Sequence, residues 1–265
     1  MALALAILIW ILTVVITYYF IAAKSKGWWF PELISQYGEI DVQFVRTLIV
    51  TGFAFVASHI GLGYAVYKYR HERPGKADYS HGNTKLELIW AAIIAVVFIA
   101  TAFIGQRVWI NLHLTQAPPG AMQVEVLGQQ FAWVFRYPGE DKKFGKTDPT
   151  KINDQDNPVG LVAEDSDGKD DLISRGRIVV PENQPVELIL RSKDVTHSFF
   201  VPSLRFKQDT VPGLSIKVHF TANKVGEYEV ACAELCGLGH YKMRGVFEVK
   251  KKEDFDKWLN GLKGE

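Results

Sequence analysis

The chain has 265 residues and a formal net charge of +1, from 30 Lys and Arg against 29 Asp and Glu, so as a whole it is not built to bind a polyanion. Its two cysteines, Cys232 and Cys236, exclude a disulfide-dense scaffold. The charge is unevenly placed: residues 1–111 hold nine Lys/Arg and six Asp/Glu, whereas residues 112–265 hold 21 and 23, which predicts a membrane anchor followed by a water-exposed domain.

Three runs carry no charge: Ala2–Ala23 (22 residues), Thr47–Tyr67 (21) and Leu88–Gln106 (19). A helix needs about 20 mostly apolar residues to cross the hydrocarbon core, so each run predicts a membrane span. Trp28 and Trp29 follow the first, Tyr67 and Tyr69 end the second, and Trp109 follows the third, as interfacial aromatic belts do. The connection between the second and third runs carries Lys68, Arg70, Arg73, Lys76 and Lys85, which places it on the cytoplasmic side and everything after the third span outside. The alternative for the first run is a secretory signal. No Lys or Arg precedes it and it is long for such a segment, so a retained span is the expectation.

Two ionisable groups fall in or beside these runs. His59 sits mid-span, where a neutral imidazole bonded to a helix carbonyl is expected rather than a functional group. Glu87 opens the third span, where a solvated carboxylate is favoured by the helix dipole.

Beyond Asn111 the periodicity changes to that of strands. Met122–Leu127, Phe131–Tyr137, Arg177–Val180, Val186–Leu190, Ile216–Phe220, Glu227–Ala231 and Val246–Lys250 are short β-type runs. Pro138-Gly139, Pro181-Glu182-Asn183, Pro212-Gly213 and Gly226 punctuate them, which predicts a β-sandwich or barrel. Glu253–Leu262 closes as a short amphipathic helix with Phe255, Trp258, Leu259 and Leu262 on one side. Residues 139–171 interrupt the rhythm with ten acids and five bases, and read either as a plain surface loop or as an acidic docking surface.

The stretch Cys232-Ala-Glu-Leu-Cys236-Gly-Leu-Gly-His240-Tyr-Lys-Met243 follows a strand pattern and offers two thiols, an imidazole and a thioether. A second imidazole, His197, lies upstream in Val-Thr-His197-Ser-Phe-Phe-Val-Pro. Soft sulfur donors with imidazole select copper over hard cations. One thiolate is surplus for a single blue-copper site, whereas two thiolates bridging two coppers use every donor without remainder. A local disulfide and a Cys2His2 zinc site are the competing readings; the first leaves His197, His240 and Met243 unexplained, and the second gains little from Met243.

At these residues the chain resembles cytochrome c oxidase subunit II, the copper-containing subunit of haem-copper terminal oxidases. The similarity runs from about Val45 to about Leu259. It rests on Cys-x-Glu-x-Cys-x-x-x-His-x-x-Met with an upstream His-Ser-x-x-Val-Pro-Ser. Further matches are Leu86-Glu87-x-Ile-Trp90, Gly128-x-Gln130 followed by aromatics, and Lys207-x-Asp209-x-x-Pro212-Gly213.

Joined to the three predicted spans, the resemblance implies a membrane-anchored α + β chain in which three helices precede a cupredoxin-like β-sandwich; the family usually has two spans, so the first here is extra. Residues 1–43 would form an extra helix with its outer loop, residues 44–111 a helical hairpin, and residues 112–265 the copper domain with an acidic insertion at 139–171. It implies a dinuclear copper (CuA) centre held by His197, Cys232, Cys236, His240, Met243 and the backbone carbonyl of Glu234. The Glu234 side chain would reach a magnesium shared with subunit I. Electrons would come from a cytochrome c-type donor, either separate or a haem domain of a neighbouring respiratory complex. They would pass to haem held only in subunit I, where oxygen is reduced to water and protons are pumped. The setting implied is the bacterial inner membrane, with the copper domain periplasmic and no nucleic acid as partner. Glu87 matches a family carboxylate near the mouth of a proton-uptake channel. Phe131 stands where the family usually has the tryptophan of electron uptake, in Gly128-Gln129-Gln130-Phe131-Ala132-Trp133 rather than Gly-His-Gln-Trp-Tyr-Trp, and Trp133 follows in the same strand.

Three other functions fit less of the chain, and a fourth fits it equally. A quinol-oxidase subunit lacks the copper ligands. Nitrous oxide reductase is soluble and carries a second, His-rich copper domain. The CuA subunit of a nitric oxide reductase differs only in its catalytic partner, and a non-enzymatic copper carrier needs an open, labile site.

Overall fold

The computed structural model describes residues 1–70, 75 and 82–264. Of the cations that set the predicted orientation, Arg73 and Lys76 lie outside the described residues. Residues 1–29 and 39–111 form one compact unit, and residues 30–38 together with the chain from Leu112 onward form a second.

The first unit is helical. Helices α1 (Ala2–Ser25), α2 (Gly38–Lys68) and α3 (Thr84–His113) have 24, 31 and 30 residues, long and apolar enough to cross a membrane. Each outruns its charge-free run because the added charges suit the helix ends. Glu39 and Asp41 lie in the first turn of α2 and Glu87 in that of α3, at the positive ends of the dipoles, and Lys68 lies in the last turn of α2. Asn83 caps α3 by accepting the Leu86 N–H at 3.1 Å. Trp10 of α1 packs on α2 at Gly63, where an added Cβ would come within 2.2 Å of the indole Nε1. That indole donates to the Ile60 carbonyl at 3.3 Å. His59 Nδ1–H is 2.8 Å from the Phe55 carbonyl, its expected partner within its own helix. Helix α3 is apolar all round and buries no residue within the chain, the pattern of a span facing lipid or another protein.

The second unit is a sandwich of two five-stranded sheets. Its strands are β1 (Met122–Gln129), β2 (Ala132–Tyr137), β3 (Leu172–Arg175), β4 (Arg177–Pro181), β5 (Pro185–Ser192), β6 (His197–Val201), β7 (Phe206–Thr210), β8 (Ile216–Thr221), β9 (Gly226–Cys232) and β10 (Arg244–Lys250). The first sheet runs β3-β2-β1-β5-β8 and the second β4-β10-β9-β6-β7. The pairs β1–β5 and β10–β4 are parallel, as crossovers between the sheets require, and the others are antiparallel.

Alternation builds the core. Trp133, Phe135 and Tyr137 of β2 point to the facing sheet, where Phe199 meets Trp133 at 5.4 Å and Phe135 at 6.3 Å between centroids. Phe220 meets Phe247 at 5.6 Å. Each such buried ring contributes roughly 1.5–3 kcal/mol by removal from water. The Tyr137 hydroxyl stitches the two sheets, donating to the Val179 carbonyl at 3.0 Å and accepting the Val179 N–H at 2.8 Å. The final helix α4 (Lys252–Gly261) buries Phe255 and sets Trp258 edge-on to Tyr137 at 5.3 Å.

Three observations go beyond the sequence expectation. Strands β3, β6 and β7 were not among the predicted runs; each has only four or five residues, and β7 alternates with polar side chains. The insertion at 139–171 is a folded layer, not a bare loop. It lies on the outer face of the first sheet, where Val159 is buried against Leu127 and Val134, with Leu161 and Ile173 beside them. On that face Arg136, almost wholly buried, bonds both Glu125 and Asp171, the latter at 3.0 Å, and donates to the Gly145 carbonyl at 2.9 Å. Most of the insertion's acids are used locally: Asp170 accepts the Glu140 N–H, Asp165 the Lys146 N–H, and Asp148 the Thr150 N–H.

The third concerns residues 30–38, expected to belong with the first helix as its outer loop. They pack into the sandwich. Ile34 is fully buried, donates its N–H to the Ser203 carbonyl at 2.9 Å and accepts from Asn223 at 2.9 Å. Ser35 bridges to Ala222 at the end of β8 and donates its hydroxyl to the Leu204 carbonyl at 2.7 Å. Gln36 accepts the Thr221 N–H at 2.8 Å, and Tyr37 donates to the His219 carbonyl. The segment completes backbone hydrogen bonding that the sandwich would otherwise leave to water.

Candidate metal centre

The site forms where β1, β6 and β9 end together. Phe199 of β6 pairs with Cys232 of β9, which sets His197, two residues earlier on β6, beside the end of β9. The chain leaves the sheet at Cys232 and rejoins it after Met243, where the Cys232 N–H donates to the Met243 carbonyl at 3.1 Å. All the sulfur donors therefore lie on one closed loop. Gly128 of β1 passes so near that a Cβ there would meet the His197 ring at 2.9 Å.

Within this loop the donors converge. A ring nitrogen of His197 and the sulfurs of Cys232 and Cys236 lie within 4.8 Å of one another. The two sulfurs are 3.9 Å apart and both thiols are free, whereas a disulfide needs about 2.05 Å. Cys236 Sγ lies 3.6 Å from His240 Nδ1 and 3.8 Å from Met243 Sδ. The Cys232 thiol lies 3.2 Å from the Glu234 carbonyl. His197, Cys236 and Met243 are buried, Cys232 and His240 half-buried, and Glu234 exposed.

His197 is held from behind. Its Nε2 is 2.8 Å from the Asp194 carboxylate, while Nδ1 is buried without a protein partner. A histidine that gives one ring N–H to a carboxylate and keeps the other nitrogen free is arranged as a metal ligand. Burial works against ionisation of Asp194, but the Gln130 N–H, His197 and the Val195 N–H together hold its carboxyl below the usual range. Burial, with the neighbouring Cys232, pushes the Cys236 thiol up to about 11. A metal bound by these sulfurs would have to displace the proton that burial favours on Cys236. Soft sulfur and borderline nitrogen, with no carboxylate among the converging atoms of the described residues, fit copper.

The other residues singled out from the sequence fall as follows. Phe131 is partly exposed and lies on the donor loop, 2.4 Å from where a Gly239 Cβ would stand. Trp133 is fully buried, its ring 6.1 Å from that of His197, so it cannot touch a docking partner directly. Glu87 lies in the first turn of α3, in the other unit. Sequence reasoning missed Asp194 and Gln130. The spacing Asp194-x-x-His197 was a usable signal for the first, because three residues bring a carboxylate back to an imidazole across a tight turn.

Comparison with known proteins finds relatives across most of the chain. Residues 122–250 match the family described as Cytochrome C oxidase subunit II, periplasmic domain. The chain is 37% identical over 238 residues to the "Alternative cytochrome c oxidase subunit 2" of Bradyrhizobium diazoefficiens, covering 89% of this chain and 84% of that protein. It is 34% identical over 216 residues to the "Probable cytochrome c oxidase subunit 2" of Rickettsia felis, covering 82% of this chain and 64% of the relative. Among solved structures, the periplasmic domain of subunit II of cytochrome oxidase of Bradyrhizobium japonicum aligns with 26% identity and a TM-score of 0.42, over 56% of this chain and 98% of that one. The chain thus belongs to the cytochrome c oxidase subunit II family, as a membrane-anchored, electron-accepting subunit of an oxidoreductase complex with its β-sandwich domain on the outer side.

Proposed function

We propose that His197, Cys232, Cys236, His240, Met243 and the Glu234 carbonyl hold a dinuclear copper centre. Through it the chain takes electrons from a cytochrome c-type donor and delivers them to haem in subunit I of a bacterial inner-membrane oxidase, where oxygen reduction to water is coupled to proton pumping. The observation that carries this reading is the convergence of two free thiols, a thioether and an imidazole whose buried Nδ1 has no protein partner. When bound, such a centre takes up and gives back one electron. The protein's part is to keep the donors still: Asp194 orients His197, the closed loop fixes the sulfurs, and burial of Cys236 and Met243 keeps water from the site.

The exposed Glu234 carboxylate is free to reach a magnesium shared with subunit I. Glu87, at the membrane-helix end remote in sequence from the copper loop, receives protons for the oxidase. Phe131, on the rim of the copper loop, meets the donor, with the net negative insertion steering it.

Metal analysis and optical and electron paramagnetic resonance spectra of the full-length chain in detergent test the centre. Two coppers per chain with a mixed-valence spectrum are expected, and Cys232→Ser or Cys236→Ser abolishes that spectrum because a hydroxyl is a hard, high-pKa replacement for a thiolate ligand. Zinc, or one copper per chain with both cysteines intact, would sink the assignment. For Glu87, Glu87→Gln is expected to slow proton uptake of the assembled oxidase and leave the copper spectrum unchanged; unaltered turnover across pH returns Glu87 to a helix-end carboxylate.

A further inference from the structure

We infer that the Gln130–Phe131 turn between β1 and β2 is the positioning element of the copper loop, joining its thiolate side to its His197 side. This rests on the proposed copper reading and adds residues that ligate nothing. Gln130 has two arms. Its side-chain Nε2–H donates to the carbonyl of Cys236, and its backbone N–H donates to the Asp194 carboxylate at 2.8 Å. The other oxygen of Asp194 is 2.8 Å from His197 Nε2. One residue from a different strand pair therefore ties the loop that carries the sulfurs to the carboxylate that orients the imidazole.

A second observation is steric. A Cβ at Gly239 would come within 2.4 Å of the Phe131 ring, and one at Gly237 within 2.7 Å of Gln130 Nε2. The two glycines leave a slot that the side chains of residues 130 and 131 fill. Gly237 also has φ +130°, where a side chain is strained, but Gly239 has no positive φ. At Gly239, then, absence of a side chain is required by Phe131 and not by the backbone. Hydrogen bonds and close packing point the same way: the turn clamps residues 236–239 against the end of the sandwich.

Groups that orient metal ligands typically cost about 10–100-fold in metal affinity when removed. The test uses the full-length, copper-loaded chain in detergent. Gln130→Leu keeps the side chain's bulk and removes its donor. It is expected to release copper to a competing chelator about 10-fold faster than the parent and to change the hyperfine pattern and midpoint potential, with an unchanged circular dichroism spectrum. Gly239→Ala keeps every hydrogen-bonding group and displaces Phe131, and is expected to accelerate copper release too. Because Asp194 sits in the same chain of contacts, Gln130→Leu combined with Asp194→Asn should give less than the product of the single effects. A parent chain that holds no copper overturns the proposed function and this inference with it. A copper-loaded parent whose release rate, spectrum and potential are matched by both Gln130→Leu and Gly239→Ala overturns the inference alone. Should Gln130→Leu fail to fold, Gly239→Ala decides in the same way.

Discussion

The copper loop, residues 232–243, and the acidic insertion, residues 139–171, are the two regions of the sandwich richest in chemically capable side chains, and they use them in opposite ways. At the loop, side-chain donors turn toward one another: its two cysteine sulfurs and a ring nitrogen of His197, on β6 beside it, fall within 4.8 Å, and the His197 Nδ1 has no protein partner. In the insertion, the carboxylates turn back. Asp148, Asp165 and Asp170 accept backbone N–H groups of their own segment, and Asp171 pairs with Arg136 beneath it. A dense set of acids is thus largely folding machinery here, while a sparse set of soft donors makes the site. Convergence, and not the number of charges, separates the two.

Breaking the insertion without touching the loop gives the largest test. Arg136→Ala strips the cation from between Glu125 and Asp171, both buried, and is expected to cost about 3–5 kcal/mol of stability in thermal or denaturant unfolding. Copper content and spectrum should survive wherever the chain still folds, for which Arg136→Lys is the milder variant. Loss of the copper spectrum from a folded Arg136 variant would show the two regions to be coupled.

A pH experiment gives a smaller effect. Burial, opposed by the Gly145 N–H and by Arg136, raises the Asp171 carboxyl from 3.8 to about 6. The folded state thus holds this proton more tightly than the unfolded state does. Its contribution to stability is full below about pH 4 and lost as pH rises through about 6, a swing of roughly 1–3 kcal/mol. Asp171→Asn should flatten that part of the stability–pH curve; an unchanged slope would assign it to other groups.

The smallest effect concerns the field of the insertion. Hydrogen-bonded carboxylates remain charged, and residues 139–171 carry ten acids against five bases. Reversing the exposed Asp156 and Glu164 to Lys should lower the second-order rate of copper reduction by a cytochrome c-type donor about threefold at low salt, with little change at 1 M salt, where the Debye length is about 3 Å. Phe131→Ala, at the rim of the copper loop, should lower the rate at both. If the insertion variants keep the parent's rate and salt slope in stopped-flow reduction, steering lies elsewhere.

What the sequence made legible follows the same division. The convergence of donors could be read because the sulfurs and one imidazole lie within 12 residues, and their softness points to copper. The spans could be read because hydrocarbon demands long uncharged runs. Gln130 could not, because its role depends on the β1–β2 turn meeting a loop about 100 residues later. Glu125 and Arg136 were hidden by the alternation itself: β1 and β2 read as strands with one buried face, and the insertion buries the other. Nothing in the periodicity around Ile34 marks it as a core residue, since its partners, Ser203 and Asn223, belong to distant strand ends.

That last contact bears on how the protein is made and handled. Residues 30–38 are synthesised before any strand they complete, so each sandwich forms against a template that already exists in its own chain. A soluble fragment beginning at Leu112 or Ala121 lacks that template: the space of a fully buried Ile34 is left open and the end of β8 loses its Ser35 bridge. A water-soluble version that keeps the complete domain is therefore a rearranged one, with residues 30–38 carried on a flexible linker to the strands they close.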